Sequence, residues 1–411
     1  MHGRLSTTGA AQVRAAQAAR TSYGRLLALL AAGNGDIAAA EDALGDAFER
    51  ALTAWPADGV PHNPDAWLLT VARNRMRDRW KSPGTRMAVE WDPERHGPAH
   101  LDELDLDAVP DRRLELMLVC AHPAIDKAVR TPLMLNTVLG CTGEQIARAF
   151  ALPAPTLAAR LVRAKRRIKD ARIPFQIPDV HALGERMDAV LEAVYGAYAI
   201  DWHTTGTELR PALAGEALHL AETLAHLAPG DAEARGLAGL ICLSQARGPA
   251  RLDAEGAFVP LREQDPARWD GELIRRGREH LRRAHGLRQL GRFQLEAAIQ
   301  AVHCARRESG TTDWGALRDL YDALHGLAPS LGSATALAAV AAETDGPEAG
   351  LALLDELVDR TARFQPAWAT RAHLLERLGR AAEARVALDK AISLTHDPAE
   401  RAHLTARRAH L

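Results

Sequence analysis

The stretch Thr142–Arg172, TGEQIARAFALPAPTLAARLVRAKRRIKDAR, decides how the rest of the chain is read. Thr142 with Gln145 forms an [S/T]xx[E/Q] capping box, which predicts a helix start because two otherwise free backbone donors gain side-chain acceptors. Ile146, Ala147 and Phe150 are expected to supply that helix with its buried face, and Ala151-Leu152-Pro153 forms the turn after it. Pro155 suits the first position of a second helix, where its missing N–H costs nothing. Along this second helix Leu157, Leu161, Ala164 and Ile168 recur at three- and four-residue steps and mark the core side. Arg160, Arg163, Lys165, Arg166, Arg167, Lys169 and Arg172 take much of the remainder, against a single acid, Asp170.

A capped helix, a short turn and a basic second helix form an arrangement that seats one helix in the major groove of DNA, and its bland alternative is an amphipathic surface helix that is merely basic. In a helix-turn-helix the start of the second helix meets base edges while later cations grip phosphates. Thr156, Ala159, Arg160 and Arg163 are the expected base-side residues, and Lys165, Arg166, Arg167 and Lys169 the phosphate-side ones.

Upstream, Ala10–Ala32 carries Ala and Leu at helical spacing, and after Gly33-Asn34-Gly35 the side chain of Asp36 is placed to cap a helix running to about Trp55. Ile37, Ala40, Leu44, Phe48, Ala51 and Trp55 form its buried stripe. Glu41, Asp42, Asp46 and Glu49 lie mostly off that stripe, as a solvated face or a docking face for a basic partner. The prolines and glycine of Pro56–Pro64 predict a loop. A third helix begins near Asp65 and reads DAWLLTVARNRMRDRWKS. Arg73, Arg75, Arg77, Arg79 and Lys81 crowd its second half beyond what a helix dipole needs, which favours a nucleic-acid or phosphate contact. Residues 82–111 turn acidic and Pro/Gly-rich, as a linker would.

The chain of 411 residues is 47% hydrophobic but only 4% aromatic and rich in alanine, so we expect a globular, all-α protein of several domains. The formal net charge of -2 averages regions of opposite sign and decides nothing by itself. Cys120, Cys141, Cys242 and Cys304 form no CxxC pair; Cys120-Ala121-His122 with Cys141 amounts at most to an incomplete metal site. Histidines 203, 219, 226, 303, 325 and 373 show no metal-ligand spacing, and we expect no metal and no cofactor. No apolar run reaches membrane-spanning length and no signal-type segment opens the chain, so a cytoplasmic protein that makes no use of a membrane is expected.

Three segments together resemble one family. AEDALGDAFERAL, then WLLTVARNRMRDR, then EQIARAFALPAPTLAARLVRAKRRI are similar to regions two and four of a bacterial sigma-70-type RNA polymerase sigma factor of the extracytoplasmic-function (ECF) group. RIPFQIP and the long helical C-terminus resemble the subgroup with a tetratricopeptide-like extension. The resemblance implies that Glu41, Asp42, Asp46 and Glu49 dock on the bacterial RNA polymerase core, at the clamp helices of its largest subunit. It further implies that the loop Trp55–Asp65 with Arg73, Asn74 and Arg77 melts and reads a -10 promoter element. Thr156, Ala159, Arg160, Arg163, Lys165, Arg166 and Arg167 would read a -35 element as duplex DNA. Gly45 and Asn136 depart from the family pattern, which tends to a larger polar residue and a basic residue there.

In the C-terminal half the clearest repeat is AWATRAHLLERLGRAAEARVALDKAISL from Ala367, with small residues at Ala372, Ala384, Ala387 and Ala391 and a turn at Leu378-Gly379. Earlier units from Asp188 onward are degenerate, and Ala250–Asp270 is an irregular insertion with a short hairpin expected around Ala254-Glu255-Gly256. The expected domains are 10–81 (region two), 82–111 (acidic linker), 112–175 (region four) and 179–411 (TPR-like repeats). The expected function is a non-enzymatic promoter-specificity subunit whose repeats modulate it or recruit a regulatory protein. The alternative is a helix-turn-helix regulator with a TPR-like sensor, acting without core polymerase.

Overall fold

The computed structural model describes residues 12–18, 21–33, 35–81, 111–202 and 211–411. Most of the acidic stretch 82–111, together with His203, lies outside the described residues. All regular elements among the described residues are helices, so the fold is all-α; the single extended contact is an isolated antiparallel bridge between Leu252 and Phe258. The chain forms two compact units, Met1–Ile200 and Asp201–Leu411.

The first unit opens with α1 (12–18), α2 (Tyr23–Ala31), α3 (Ile37–Asp58) and α4 (Pro64–Lys81). Asp36 caps α3 by accepting from the Ala39 N–H at 3.1 Å, and Ile37, Ala40, Leu44, Ala51 and Trp55 are buried as their spacing requires. The sequence places the end of this helix at Trp55, but α3 continues through Pro56 to Asp58. Pro56 removes only the bond to the carbonyl of Leu52, a residue on the exposed side of the last turns, where water serves instead. Pro64 opens α4 at its first position, and the Asn63 side chain accepts from Ala66 N–H at 3.1 Å. Trp67 meets Trp55 edge-on, with ring centroids 5.6 Å apart.

The same unit continues with α5 (Arg113–Cys120), α6 (Lys127–Thr137), α7 (Gly143–Ala149), α8 (Ala154–Asp170) and α9 (Val180–Trp202). Both arms of the capping box at Thr142 and Gln145 are formed, at 3.2 and 2.9 Å. The turn before α8 is a Schellman motif: Leu152 N–H donates to Ala147 O at 2.8 Å and Ala151 N–H to Arg148 O at 3.2 Å, with Ala151 left-handed at φ 51°. Pro153 caps α8 and Ala154 is its first residue, so Pro155 falls at the second position rather than the first, still within the turn that needs no N–H partner. Leu157, Leu161, Ala164 and Ile168 are all buried, as are Ile146 and Ala147 of α7, whereas Phe150, expected on the buried face, is the C-cap of α7 and is exposed.

Two features bear on domain organisation. The sequence starts the repeats at 179, whereas the first unit runs on to Ile200. The cause is α9: Arg186 donates to the Leu118 carbonyl at 3.0 Å and Thr131 to that of Ala189 at 3.5 Å. Within the unit, α2 packs on α5 and α3 on α8, which joins the lobe of α1–α4 to the lobe of α5–α9. A Cβ on Gly24 of α2 would stand 1.9 Å from the carbonyl oxygen of Val138 at the end of α6, so only glycine permits this approach of the two backbones.

The second unit is a succession of helices, most of them packed on their sequence neighbours: α10 (Pro211–Leu227), α11 (Ala232–Gln245), α12 (Gly271–Gly286), α13 (Arg292–Ser309), α14 (Trp314–Leu327), α15 (Leu331–Thr344), α16 (Pro347–Asp355), α17 (Val358–Thr361), α18 (Gln365–Arg377), α19 (Ala381–Leu394) and α20 (Pro398–Ala409). Ala372, Ala384, Ala387 and Ala391 are buried at the α18–α19 crossing, where their small size lets the helices close up. The expected hairpin forms in the insertion, with Gly256 left-handed at φ 82° and the Asp253 carboxylate accepting from the N–H groups of Glu255 and Ala257.

Candidate nucleic-acid interface

The exposed face of α8 is built by its buried stripe: with Leu157, Leu161, Ala164 and Ile168 turned inward, Thr156, Ala159, Arg163, Arg166 and Arg167 are turned to solvent and Arg160 lies at the margin, half-buried. Arg160, Arg163 and Arg167 have no ion-pair partner among the described residues, and Arg166 reaches Asp170 at 3.5 Å across a solvated pair. Val162, 67% exposed, stands among these cations as an apolar contact surface. Its place off the four-three-four stripe was the signal for it.

Lys165 and Lys169 point elsewhere. Lys165 Nζ lies 2.6 and 2.7 Å from the two carboxylate oxygens of Glu41 on α3 and 3.2 Å from Asn136 Oδ1, with both charged side chains largely shielded from water. One turn on, Lys169 pairs with Asp36 at 2.7 Å. Asn136 holds its place by donating from Nδ2 to the Cys141 carbonyl at 3.2 Å. The roles of Asn136 and Asp36 here were not read from the sequence, because each joins residues more than 25 positions apart or has a local capping role that hides the second one.

On α3 the four acids are thus in different circumstances. Glu41 is engaged by Lys165, and Asp46 by Arg75 Nε of α4 at 2.6 Å; Asp42 and Glu49 are exposed. On α4 Arg73 and Arg77 are exposed and Asn74 is half-buried, with no ion-pair partner for either arginine among the described residues. In the segment before α4, Trp55 is buried and His62 exposed, while the Asp65 carboxylate accepts from Ser22 Oγ at 2.5 Å. A cleft of about 410 Å³ lies here, lined by Arg14, Gln17, Ser22, His62, Asn63 and Asp65.

Burial around the lobe contact shifts two groups. The Cys120 thiol is pushed up to about 12, mainly by burial and against the favourable contact with Thr137 Oγ1 at 3.7 Å. The Tyr23 phenol is also raised, first by burial and then by the charge of Glu41. Cys120 and Cys141 are each buried with their own neighbours, His122 Nδ1 accepts from Ala124 N–H at 3.1 Å, and no group of three metal-ligating side chains gathers among the described residues.

Residues 19–85, which span α2 to α4, match sigma-70 region 2, and residues 186–285 match a family of unknown function, DUF6596. The chain is 35% identical over 379 residues to the uncharacterized protein R00370 of Rhizobium meliloti, covering 90% of each. The chain belongs to that protein's family. It is also 31% identical over 187 residues to the probable ECF RNA polymerase sigma factor SigI of Mycobacterium tuberculosis, which covers 44% of this chain and 62% of that one. Together the region 2 match and this relative support a sigma-70-type factor. No solved structure matches the chain significantly, and no described helix is long and apolar enough to cross a membrane.

Proposed function

We propose that this member of the sigma-70 type is an RNA polymerase sigma factor that directs core polymerase to promoters read at two elements. The observation that carries the reading is the coincidence of a region 2 match over α2–α4 with a separate helix, α8, on which Arg160, Arg163 and Arg167 have no ion-pair partner among the described residues. In this reading the acidic face of α3, with Asp42 and Glu49 outermost, docks on core polymerase. Arg73, Asn74 and Arg77 of α4 and the adjoining cleft take the melted -10 strand, where cations track the backbone and unstacked bases need a pocket. The α7–α8 pair acts as a helix-turn-helix, with Thr156, Ala159, Arg160 and Arg163 toward base edges and Arg166 and Arg167 toward phosphates.

The second unit is proposed as a modulating domain of TPR-like helical repeats, able to engage a regulatory protein, in a cytoplasmic factor with no catalytic activity of its own. In-vitro transcription with purified bacterial core polymerase tests the function: promoter-dependent transcripts that need this chain are expected. Specific duplex binding without any association with core polymerase would instead make it an independent helix-turn-helix regulator.

A further inference from the structure

We propose that the tip of the insertion between α11 and α12, Phe258 to Arg262, is a built-in plug on a docking surface formed by α18 and α20, whose external partner is an extended segment bearing an aromatic ring and, four residues on, an arginine. The inference rests on the reading of the second unit as a domain that engages a regulatory protein. The insertion is rooted close to the helices it joins. Asp270 N–H donates to the Ala246 carbonyl at 2.9 Å, which closes the base of the loop. Arg306 of α13 donates to the carbonyls of Leu261 and Gln264 at 2.8 and 2.9 Å, with its guanidinium 4.9 Å from the ring centroid of the buried Trp269. The tip reaches much further along the chain. Arg262 Nη1 donates to His373 Nε2 on α18 at 2.6 Å, and the Phe258 ring meets His403 of α20 edge-on with centroids 5.6 Å apart. Burial, then the charges of Arg262, Arg407 and Arg377, depress His373 to about 4, so its ring is neutral at pH 7 and able to accept.

Consecutive residues, Leu261 and Arg262, thus touch α13 and α18, while α14, α15 and α16 pack in sequence between those helices. A run of neighbour-packed helices whose ends meet on one short segment must curl, and the segment lies on its concave side, the face that helical-repeat arrays offer to partners. Pro260, at φ -58° and ψ 148°, sets an extended course between the ring and the arginine. The two attachments differ in kind. The root is held through main-chain carbonyls and a buried indole. The tip is held through the half-buried Phe258 and the exposed Arg262, two side chains that another molecule can supply. The surface also keeps an unmet acceptor. Glu376 Oε2 accepts from Arg407 at 2.6 Å, whereas the buried Oε1 of the same carboxylate accepts from no group among the described residues. The charge of Glu376 reaches His403, so this acceptor belongs to the wall that the plug covers.

The test uses a fluorescein-labelled peptide of residues 257–264, AFVPLREQ, and the full chain in which residues 253–262 are replaced by a Gly/Ser linker of equal length. The linker keeps the backbone carbonyls that Arg306 holds. A plug tethered this closely competes at an effective concentration on the order of 1 mM, so a peptide with a Kd of about 100 µM for the linker chain should bind the intact chain about tenfold more weakly. His373→Ala with His403→Ala in the linker chain should weaken the peptide at least tenfold, and a peptide with alanine in place of its Phe and Arg should not bind. Binding to neither chain, equal binding to both, or binding indifferent to the two histidines overturns the plug. Point variants of the intact chain give a second measurement. In double-mutant cycles, Arg262→Ala with His373→Ala, and Phe258→Ala with His403→Ala, should depart at least threefold from multiplicative effects on the unfolding constant, and multiplicative effects in both cycles would mean that the tip is not docked. Promoter-dependent transcription by a chain that fails these tests overturns the plug alone. Peptide binding as stated in a chain that never supports transcription keeps the plug and overturns the sigma reading.

Discussion

Two arginine-rich helices, α8 in the first unit and α12 in the second, place their guanidinium groups in opposite circumstances. On α12, Arg275 meets Glu272, Arg276 meets Glu222, Arg278 meets Glu308, and Arg282 and Arg283 share Glu279. On α8, Arg160, Arg163 and Arg167 meet no carboxylate among the described residues. The number of cations on a helix therefore does not mark a nucleic-acid surface. What marks it is the lack of carboxylates within reach, because only an unneutralised cation can replace the counterions of a phosphate.

The largest effect expected from this difference is on DNA binding. Replacing Arg160, Arg163 and Arg167 together by alanine should lower affinity for promoter duplex at least 100-fold near 150 mM salt, on the order of three lost phosphate or base contacts. Arg167→Ala alone should weaken binding across sequences and reduce the salt slope by about one, while Arg160→Ala should change which -35 sequences are preferred. The matching triple on α12, Arg275→Ala with Arg278→Ala and Arg282→Ala, should leave affinity within about twofold. Fluorescence anisotropy over a salt series measures all of these, and comparable losses from the two triples would break the comparison.

Within α12 the pairs differ in their surroundings, which sharpens the point. Glu222 is partly shielded, holds Arg276, and lies 3.9 Å from the Cys242 thiol, which burial and then the Glu222 charge raise to about 12. Glu222→Gln should cost about 2 kcal/mol in denaturant unfolding, because Arg276 would be left half-buried with a weaker partner. Arg275→Ala, which removes a solvated pair, should cost less than about 0.5 kcal/mol.

Much of this was legible in the sequence because it depends on neighbours in the chain. The capping box at Thr142, the Asp36 cap, the stripe through Leu157 and Ile168 and the hairpin at Gly256 are each set within about a dozen residues, where periodicity and turn chemistry act. Pro56 misled because helix termination was read from residue type, while a proline in the last turn disturbs only one carbonyl on the wet side. Lys165 was placed with the DNA-facing cations by charge alone. Its partner Glu41 lies 124 positions away, and no local pattern distinguishes a lysine facing an acid across a lobe contact from one facing water. The packing of α9 on the first unit is hidden for the same reason, since it rests on a hydrogen bond from Arg186 to the Leu118 carbonyl and on the approach of Gly196 to Leu135, both between distant parts of the chain.

His303 in the second unit departs from the neutralised pattern of α12. Burial, then the charges of Arg247 and Arg306, depress His303 to about 3. The folded value lies below the unfolded value of about 6.5, so between them the unfolded chain binds more protons. The contribution is intact above about pH 6.5 and is lost as pH falls toward 3. For a group at this depth, about 1 kcal/mol of stability should disappear between pH 6 and pH 5, and His303→Gln should remove that part of the slope. An unaltered slope in denaturant titrations of the variant would show that burial and the two arginines do not depress His303 in solution.

The smallest effect compares the ends of the same two helices. Each is followed by an arginine in the left-handed region, Arg172 at φ 49° after α8 and Arg288 at φ 54° after α12, where a Cβ is strained by roughly 1–2 kcal/mol. Glycine relieves that strain but gives back about 0.5–1 kcal/mol through the greater freedom of the unfolded chain. Arg172→Gly and Arg288→Gly should therefore each stabilise the protein by about 0.5 kcal/mol, seen as matched small rises in Tm. Their effects on DNA should diverge: Arg172, exposed at the end of the basic face, should take two- to threefold of promoter affinity with it, and Arg288 none. Equal Tm shifts with unequal DNA affinity would separate backbone strain, which the two helices share, from uncompensated charge, which only α8 presents.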